Sequence, residues 1–81
     1  MRNINDRDKA LRIIGNNIRL IRTWLNLSQE ELAFKSGLHR TYIGAVERGE
    51  KNITILNLIK IANALEVRVQ DLLDLDKEED K

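Results

Sequence analysis

The 81-residue chain is predicted to fold as an all-α bundle of five helices. Three observations predict it. Apolar residues recur every three to four positions, and no segment alternates as a strand would. Proline is absent, and the 42% of hydrophobic residues are mostly Ile and Leu. The periodic runs begin or end at Ser28, Gly37, Gly49 and Thr54, residue types that cap or stop helices.

The first helix is expected from about residue 6 to 25. Leu11, Ile14, Ile18, Ile21 and Leu25 form one apolar stripe, with Arg12, Arg19 and Arg22 off it. Asn5 is placed to cap it, and Asp6 and Asp8 face the positive end of the helix dipole. Ser28-Gln29-Glu30-Glu31 reads as a capping box that starts a short second helix, to about Ser36. Gly37 ends it, because glycine takes the left-handed conformation without a steric cost. A third helix runs from about Arg40 to Arg48, with Ile43 and Val46 facing inward and Gly49 as its stop. After the Lys51-Asn52-Ile53 loop, Thr54 caps a fourth helix that buries Leu58, Ile61, Ala62 and Leu65. Glu66 and Val67 turn the chain into a short fifth helix, from about Val69 to Leu73.

One domain is expected over residues 1–81, with its core in 6–75 and a charged tail at 76–81 that should fray. There is no cysteine, so no disulfide or thiolate metal site. A single histidine cannot build a multi-His metal site, so neither a metal nor a cofactor is expected. No apolar run approaches the roughly 18 residues of a membrane span. The first residues lack the apolar stretch of a signal peptide, so a cytoplasmic protein without a membrane partner is the default. No catalytic residue is assigned and an enzyme is not expected. Ser28 reads as a cap rather than a nucleophile, and the carboxylates of 71–80 form a solvated acidic end.

The net charge of +1 hides a segregation. Residues 1–60 hold eleven Lys/Arg against six Asp/Glu, and residues 61–81 hold three against seven. A basic body with an acidic end suits a polyanion on one side, though an ordinary solvated surface would look the same.

Gln29 to Val46 is the informative stretch. Two short helices meet through a turn at Gly37, with the small Ala33 at the crossing and Leu32, Ile43 and Val46 facing inward. These are the steric demands of a helix-turn-helix, which a bland helical hairpin can share by chance. If the third helix enters a major groove, its first turn meets the base edges. Arg40 can then pair with guanine, Thr41 can offer a hydroxyl or methyl, and Tyr42 can reach a phosphate or pack on the backbone, with Ala45 one turn along. Gln29, at the start of the second helix, can grip a phosphate. Lys51 and Asn52 can hold the next one, as can Arg48 and Lys35. His39 is open to a phosphate contact or to a capping or surface role. Each of these is otherwise an ordinary surface residue. Trp24 reads as core or dimer packing rather than a base-stacking platform.

As a set, these residues resemble a known family. Ile18-Arg19-x-x-Arg22, Leu27-Ser28-Gln29-Glu30-Glu31-Leu32-Ala33, Gly37-Leu38, Ile43 and Glu47-Arg48-Gly49 are similar to the Cro/repressor-type, or XRE, helix-turn-helix proteins. The likeness spans roughly residues 11–75. His39-Arg40-Thr41-Tyr42-Ile43 and Asn52-Ile53-Thr54 resemble one subgroup, the controller proteins of restriction–modification systems. The resemblance implies a lambda-repressor-like five-helix domain that binds double-stranded DNA and dimerises through its C-terminal part. It implies that Arg22 pairs with Glu47, a pair the sequence allows but does not show. It also places Arg40, Thr41 and Tyr42 on bases, and Gln29 and the loop after the third helix on phosphates. Gly44 departs from the subgroup, where serine is common at the DNA face. Closer backbone approach there and a tolerated loss of contact both stay open. The segment Met1 to Lys9 also looks longer than in the shortest members.

The expected function is thus a homodimeric, sequence-specific transcription regulator on a near-palindromic operator. Its recognition helices would enter major grooves about 34 Å apart. Val69, Leu72, Leu73 and Leu75 are the candidate dimer contacts, unless they close the monomer's own core. The specific expectation is a controller of its own promoter and of an endonuclease gene, with an acidic surface near Glu30 for RNA polymerase. A phage-type repressor, an antitoxin-type autorepressor and a protein-interaction module that does not use DNA are the alternatives.

Overall fold

The computed structural model describes residues 4–76, which form five helices. They are α1 (Ile4–Trp24), α2 (Gln29–Ser36), α3 (Arg40–Glu47), α4 (Ile55–Leu65) and α5 (Val69–Leu72). Of the charged tail, residues 77–81 lie outside the described part. The core gathers Ile18, Leu32, Ile43, Val46, Leu58, Ile61, Leu65 and Leu72 from all five helices, with Ala33 and Ala62 filling the close approaches.

Local chemistry sets most of the boundaries. The Ser28 hydroxyl accepts from the Glu31 amide at 2.9 Å, and the Glu31 carboxylate accepts from the Ser28 amide at 2.7 Å. Gly37 closes α2 at φ 75°, with its amide donating to the Ala33 carbonyl. Thr54 Oγ1 accepts from the Asn57 amide at 3.1 Å and starts α4. Glu66 ends α4 in the left-handed conformation.

The start of α1 differs from expectation. The helix has already begun at Ile4, so Asn5 lies inside it rather than at its cap. Asparagine costs a helix only a fraction of a kcal/mol, about 0.7 at most, so its capping preference does not fix the boundary. The apolar stripe also slips. Ile18 is fully buried, Ile14 and Ile21 pack against the core, but Leu25 is exposed. The helix stops at Trp24, and Asn26 takes a positive φ of 61°, which turns Leu25 outward and Leu27 inward. Trp24 is 84% exposed and belongs to no core, which overturns the core half of its expected role.

Two contacts position α1. Asn17 is buried, and its Nδ2 donates to the carbonyls of Leu72 at 3.1 Å and Asp74 at 3.2 Å, tying the end of α5 to α1. Gly15 lies against the end of α3. A Cβ there would stand 2.7 Å from the Glu47 carbonyl oxygen and closer still to that of Val46. The absent side chain is what lets the two backbones meet.

The leucines of the expected dimer contact divide. Leu72 is fully buried and completes the monomer's own core, so it is not free to meet a partner. The helical period of α5 directs it back onto α1 and α4. Val69 is half-buried against the core, while Leu73 and Leu75 are exposed.

Candidate nucleic-acid interface

The turn between α2 and α3 fixes what α3 presents. Gly37 and Leu38 both donate to the Ala33 carbonyl, at 2.9 and 3.1 Å, and Leu38 packs against the core. His39 is the N-cap of α3 by its backbone, but its side chain makes no capping hydrogen bond and is exposed. Arg40 and Thr41 are exposed, and Arg40 Nε lies 3.7 Å from a Glu30 carboxylate oxygen on α2. Tyr42 is half-buried, and its hydroxyl accepts from Asn57 Nδ2 at 3.1 Å, which anchors the ring to α4.

The second turn of α3 is closed. Ala45, expected on the outward face, is only 7% exposed and offers no contact surface. With α1 and α2 packed on this eight-residue helix and Tyr42 tied to Asn57 of α4, more of its circumference is covered than its apolar period suggests. Gly44 is buried too. A Cβ there would stand 3.2 Å from Arg48 Nη1 and 3.6 Å from Gln29 Oε1, both on side chains. The Arg48 group is the far end of a flexible chain and can move aside. Gly44→Ala is therefore expected to stabilise the fold by about 0.5–1 kcal/mol, the helix penalty of glycine. A rise in the urea midpoint checks it.

A buried polar knot holds α3 against α1. Arg22 Nε and Nη2 donate to the two Glu47 carboxylate oxygens at 2.6 and 3.0 Å, and Arg22 Nη1 donates to the Leu27 carbonyl at 2.8 Å. The side chains are 11% and 2% exposed. Gln29 Nε2 completes the knot, donating to Glu47 Oε1 at 3.0 Å. One of the two Gln29 amide protons is thus committed within the protein, leaving the other for a phosphate.

The expected phosphate contacts are only partly brought together. Arg48, Lys51 and Asn52 share the exposed stretch between α3 and α4. Lys35 stands at the far end of α2, beside Leu25, Leu27 and Glu66. The loop and Lys35 thus flank opposite ends of the 11-residue α4, roughly 15 Å apart at 1.5 Å per residue. Arg48 is not free: Nε and Nη2 donate to the two Glu50 carboxylate oxygens at 3.0 and 3.1 Å. These bonds hold the Glu50 carboxyl below its usual range and raise the Arg48 guanidinium above its own.

Sequence reasoning missed a cleft on the other side of Arg48. Lys9, Arg12, Ile13 and Asn16 of α1 line it with Glu47 and Arg48. The basic residues off the α1 stripe were the available signal, but only the packing at Gly15 brings them to the end of α3. Among the described residues, no three His, Asp or Glu converge on a metal position, and no helix is long and apolar enough to cross a membrane.

Residues 18–72 match the family described as helix-turn-helix, which takes in α2, α3 and their turn. The chain is 56% identical over 61 residues to the control protein C.SmaI of Serratia marcescens, covering 75% of this chain and 73% of that one. It is 49% identical over 63 residues to the control protein C.BamHI of Bacillus amyloliquefaciens, covering 76% and 78%. The chain belongs to this helix-turn-helix family of control proteins. The crystal structure of the restriction–modification controller protein C.AhdI from Aeromonas hydrophila superposes with a TM-score of 0.76 at 47% identity, covering 76% of this chain and 94% of that one. This control protein is accordingly a DNA-binding transcription regulator of the XRE type. Its α3 follows the turn of the helix-turn-helix, and the Arg22–Glu47 knot ties that helix to α1.

Proposed function

We propose that the protein acts in the cytoplasm as a homodimer on a near-palindromic operator, controlling its own promoter and a restriction endonuclease gene. The observation that carries this reading is the exposed first turn of a braced α3. Arg40 and Thr41 project from a helix whose residues 43–47 are all buried. Arg40 reads a base, Thr41 supports it, and the Tyr42 hydroxyl, which accepts from Asn57, donates its proton to DNA. Gln29, Lys51, Asn52 and Arg48 hold the phosphates and set register. His39 adjoins Arg40 at the start of α3, whereas Lys35 lies apart at the end of α2.

The dimer face is drawn from Leu73 and Leu75 and, on α4, from the exposed Ile55, Leu56 and Ile59. Burying such side chains against a twin adds apolar area that a domain this small cannot enclose alone. The exposed Glu30 and Glu31 of α2 form the acidic surface for RNA polymerase. The protein works by binding alone, with no catalytic group.

The test is a fluorescence-anisotropy titration against the duplex just upstream of its own gene, with a scrambled duplex beside it, at two salt concentrations. Preferential binding that survives the higher salt supports an autoregulator. Equal binding to both, erased by salt, overturns the operator reading. Arg40→Ala is expected to cost about 1–3 kcal/mol against the operator and to relax selectivity at one base position in each half-site. Unchanged selectivity removes Arg40 from the base contacts.

A further inference from the structure

We propose that Glu50 is an internal competitor for DNA phosphate at Arg48 and weakens binding to non-specific DNA; this rests on the DNA-binding reading above. The two groups follow α3 directly, on the stretch that carries Lys51 and Asn52. Arg48 presents Nε and Nη2 to two oxygens of one carboxylate at 3.0 and 3.1 Å. A guanidinium receives a phosphate through the same two-pronged arrangement. Those two N–H groups cannot serve Glu50 and a phosphate together, so a phosphate taken through this edge of the guanidinium displaces the carboxylate.

The balance between the two partners follows from exposure. Both side chains are more than half exposed, so the pair is weakly held and opens readily. A phosphate in register, with neighbouring phosphates already held by Lys51 and Asn52, displaces the carboxylate. A loosely docked duplex does not supply that register, and Arg48 stays closed on Glu50. The loop then offers DNA the charge of Lys51 alone. Because the Arg48 hydrogen bonds also keep the Glu50 carboxyl below its usual range, the competitor stays ionised throughout the neutral range.

Glu50 differs here from the carboxylate of the buried knot. Glu47 is enclosed and holds α1 to α3, whereas Glu50 touches solvent and braces no helix. Its removal should therefore alter binding without altering the fold.

The experiment titrates the full chain against a labelled, mixed-sequence duplex between about 50 and 200 mM salt, the range over which phosphate contacts are most visible. Wild type, Glu50→Gln, Arg48→Ala and the double variant are compared, with thermal melts to establish that all four fold alike. Glu50→Gln is expected to bind roughly three- to tenfold tighter at the lower salt, with a log–log salt slope steeper by about one contact, roughly 0.9. In the Arg48→Ala background the same change should gain less than about twofold, because the group it competes for is gone. An equal gain in both backgrounds would overturn the proposal, since it would mark Glu50 as a general repulsive charge. No gain in either would overturn it as well. Wild-type protein that binds no duplex even at the lower salt would instead overturn the DNA-binding reading, and this proposal with it.

Discussion

Glu47→Ala is expected to lower the unfolding free energy by about 3–5 kcal/mol, because it strands Arg22 in a site that excludes water. A domain of this size holds roughly 4–12 kcal/mol in all, so the variant should be marginal at room temperature. The carboxylate accepts three hydrogen bonds, two from Arg22 and one from Gln29, and each donor would lose its partner. Arg22→Ala should cost a similar amount. The double variant should cost clearly less than the two single changes together, since no charge then remains unpaired. Replacing the pair by Arg22→Met and Glu47→Leu should recover much of the loss, as buried pairs exchanged for apolar groups commonly do. Urea unfolding of the four proteins measures all of this. Simple additivity, or a Glu47→Ala cost below about 1 kcal/mol, would show that the knot is not a coupled unit. DNA affinity should fall as well, because the knot ties α3 to α1.

Gly15→Ala is the second change with a large expected effect, and its sign runs against helix propensity. In an open helix alanine would gain about 1 kcal/mol over glycine. Here the new methyl group would meet the backbone oxygens of Val46 and Glu47, and backbone cannot swing aside as a side chain does. Separating α1 from α3 is the remaining response, and overpacking of this kind costs about 1–3 kcal/mol or somewhat more. The displaced element is α3, which carries the proposed base contacts, so operator affinity should fall with stability. The comparison with Gly44→Ala isolates the cause. Both changes replace a helical glycine by alanine, yet one meets backbone and the other a movable guanidinium. Calorimetric melting of the two variants should move in opposite directions. A stabilised Gly15→Ala protein would mean that α1 and α3 can separate to admit the methyl group at little cost.

What could be read in the sequence was local. The Ser28 capping box, the Gly37 stop and the Thr54 cap each depend on residues within three or four positions of one another. The buried stripe of α4 obeyed its period because that helix packs on one side, leaving Ile55, Leu56 and Ile59 outside. The exposure of Arg40 and Thr41 followed from the same logic, since the turn sets the first residues of α3 forward. Arg22 and Glu47 are 25 positions apart, and only the likeness to a family joined them beforehand.

The sequence by itself determined the helix-turn-helix and its caps, because hydrogen bonds across one helical turn need no distant partner. Tertiary structure decided which surface residues were already committed. Packing around α3 buried Ala45, packing of α5 buried Leu72 and spared Leu73, and the folded chain closed Gln29 on Glu47. It also set Asn17 beneath the carbonyls of Leu72 and Asp74 and Gly15 against α3. Periodicity along one helix records how many faces are apolar. It does not record which neighbour covers each face, because that depends on contacts between segments far apart in the chain.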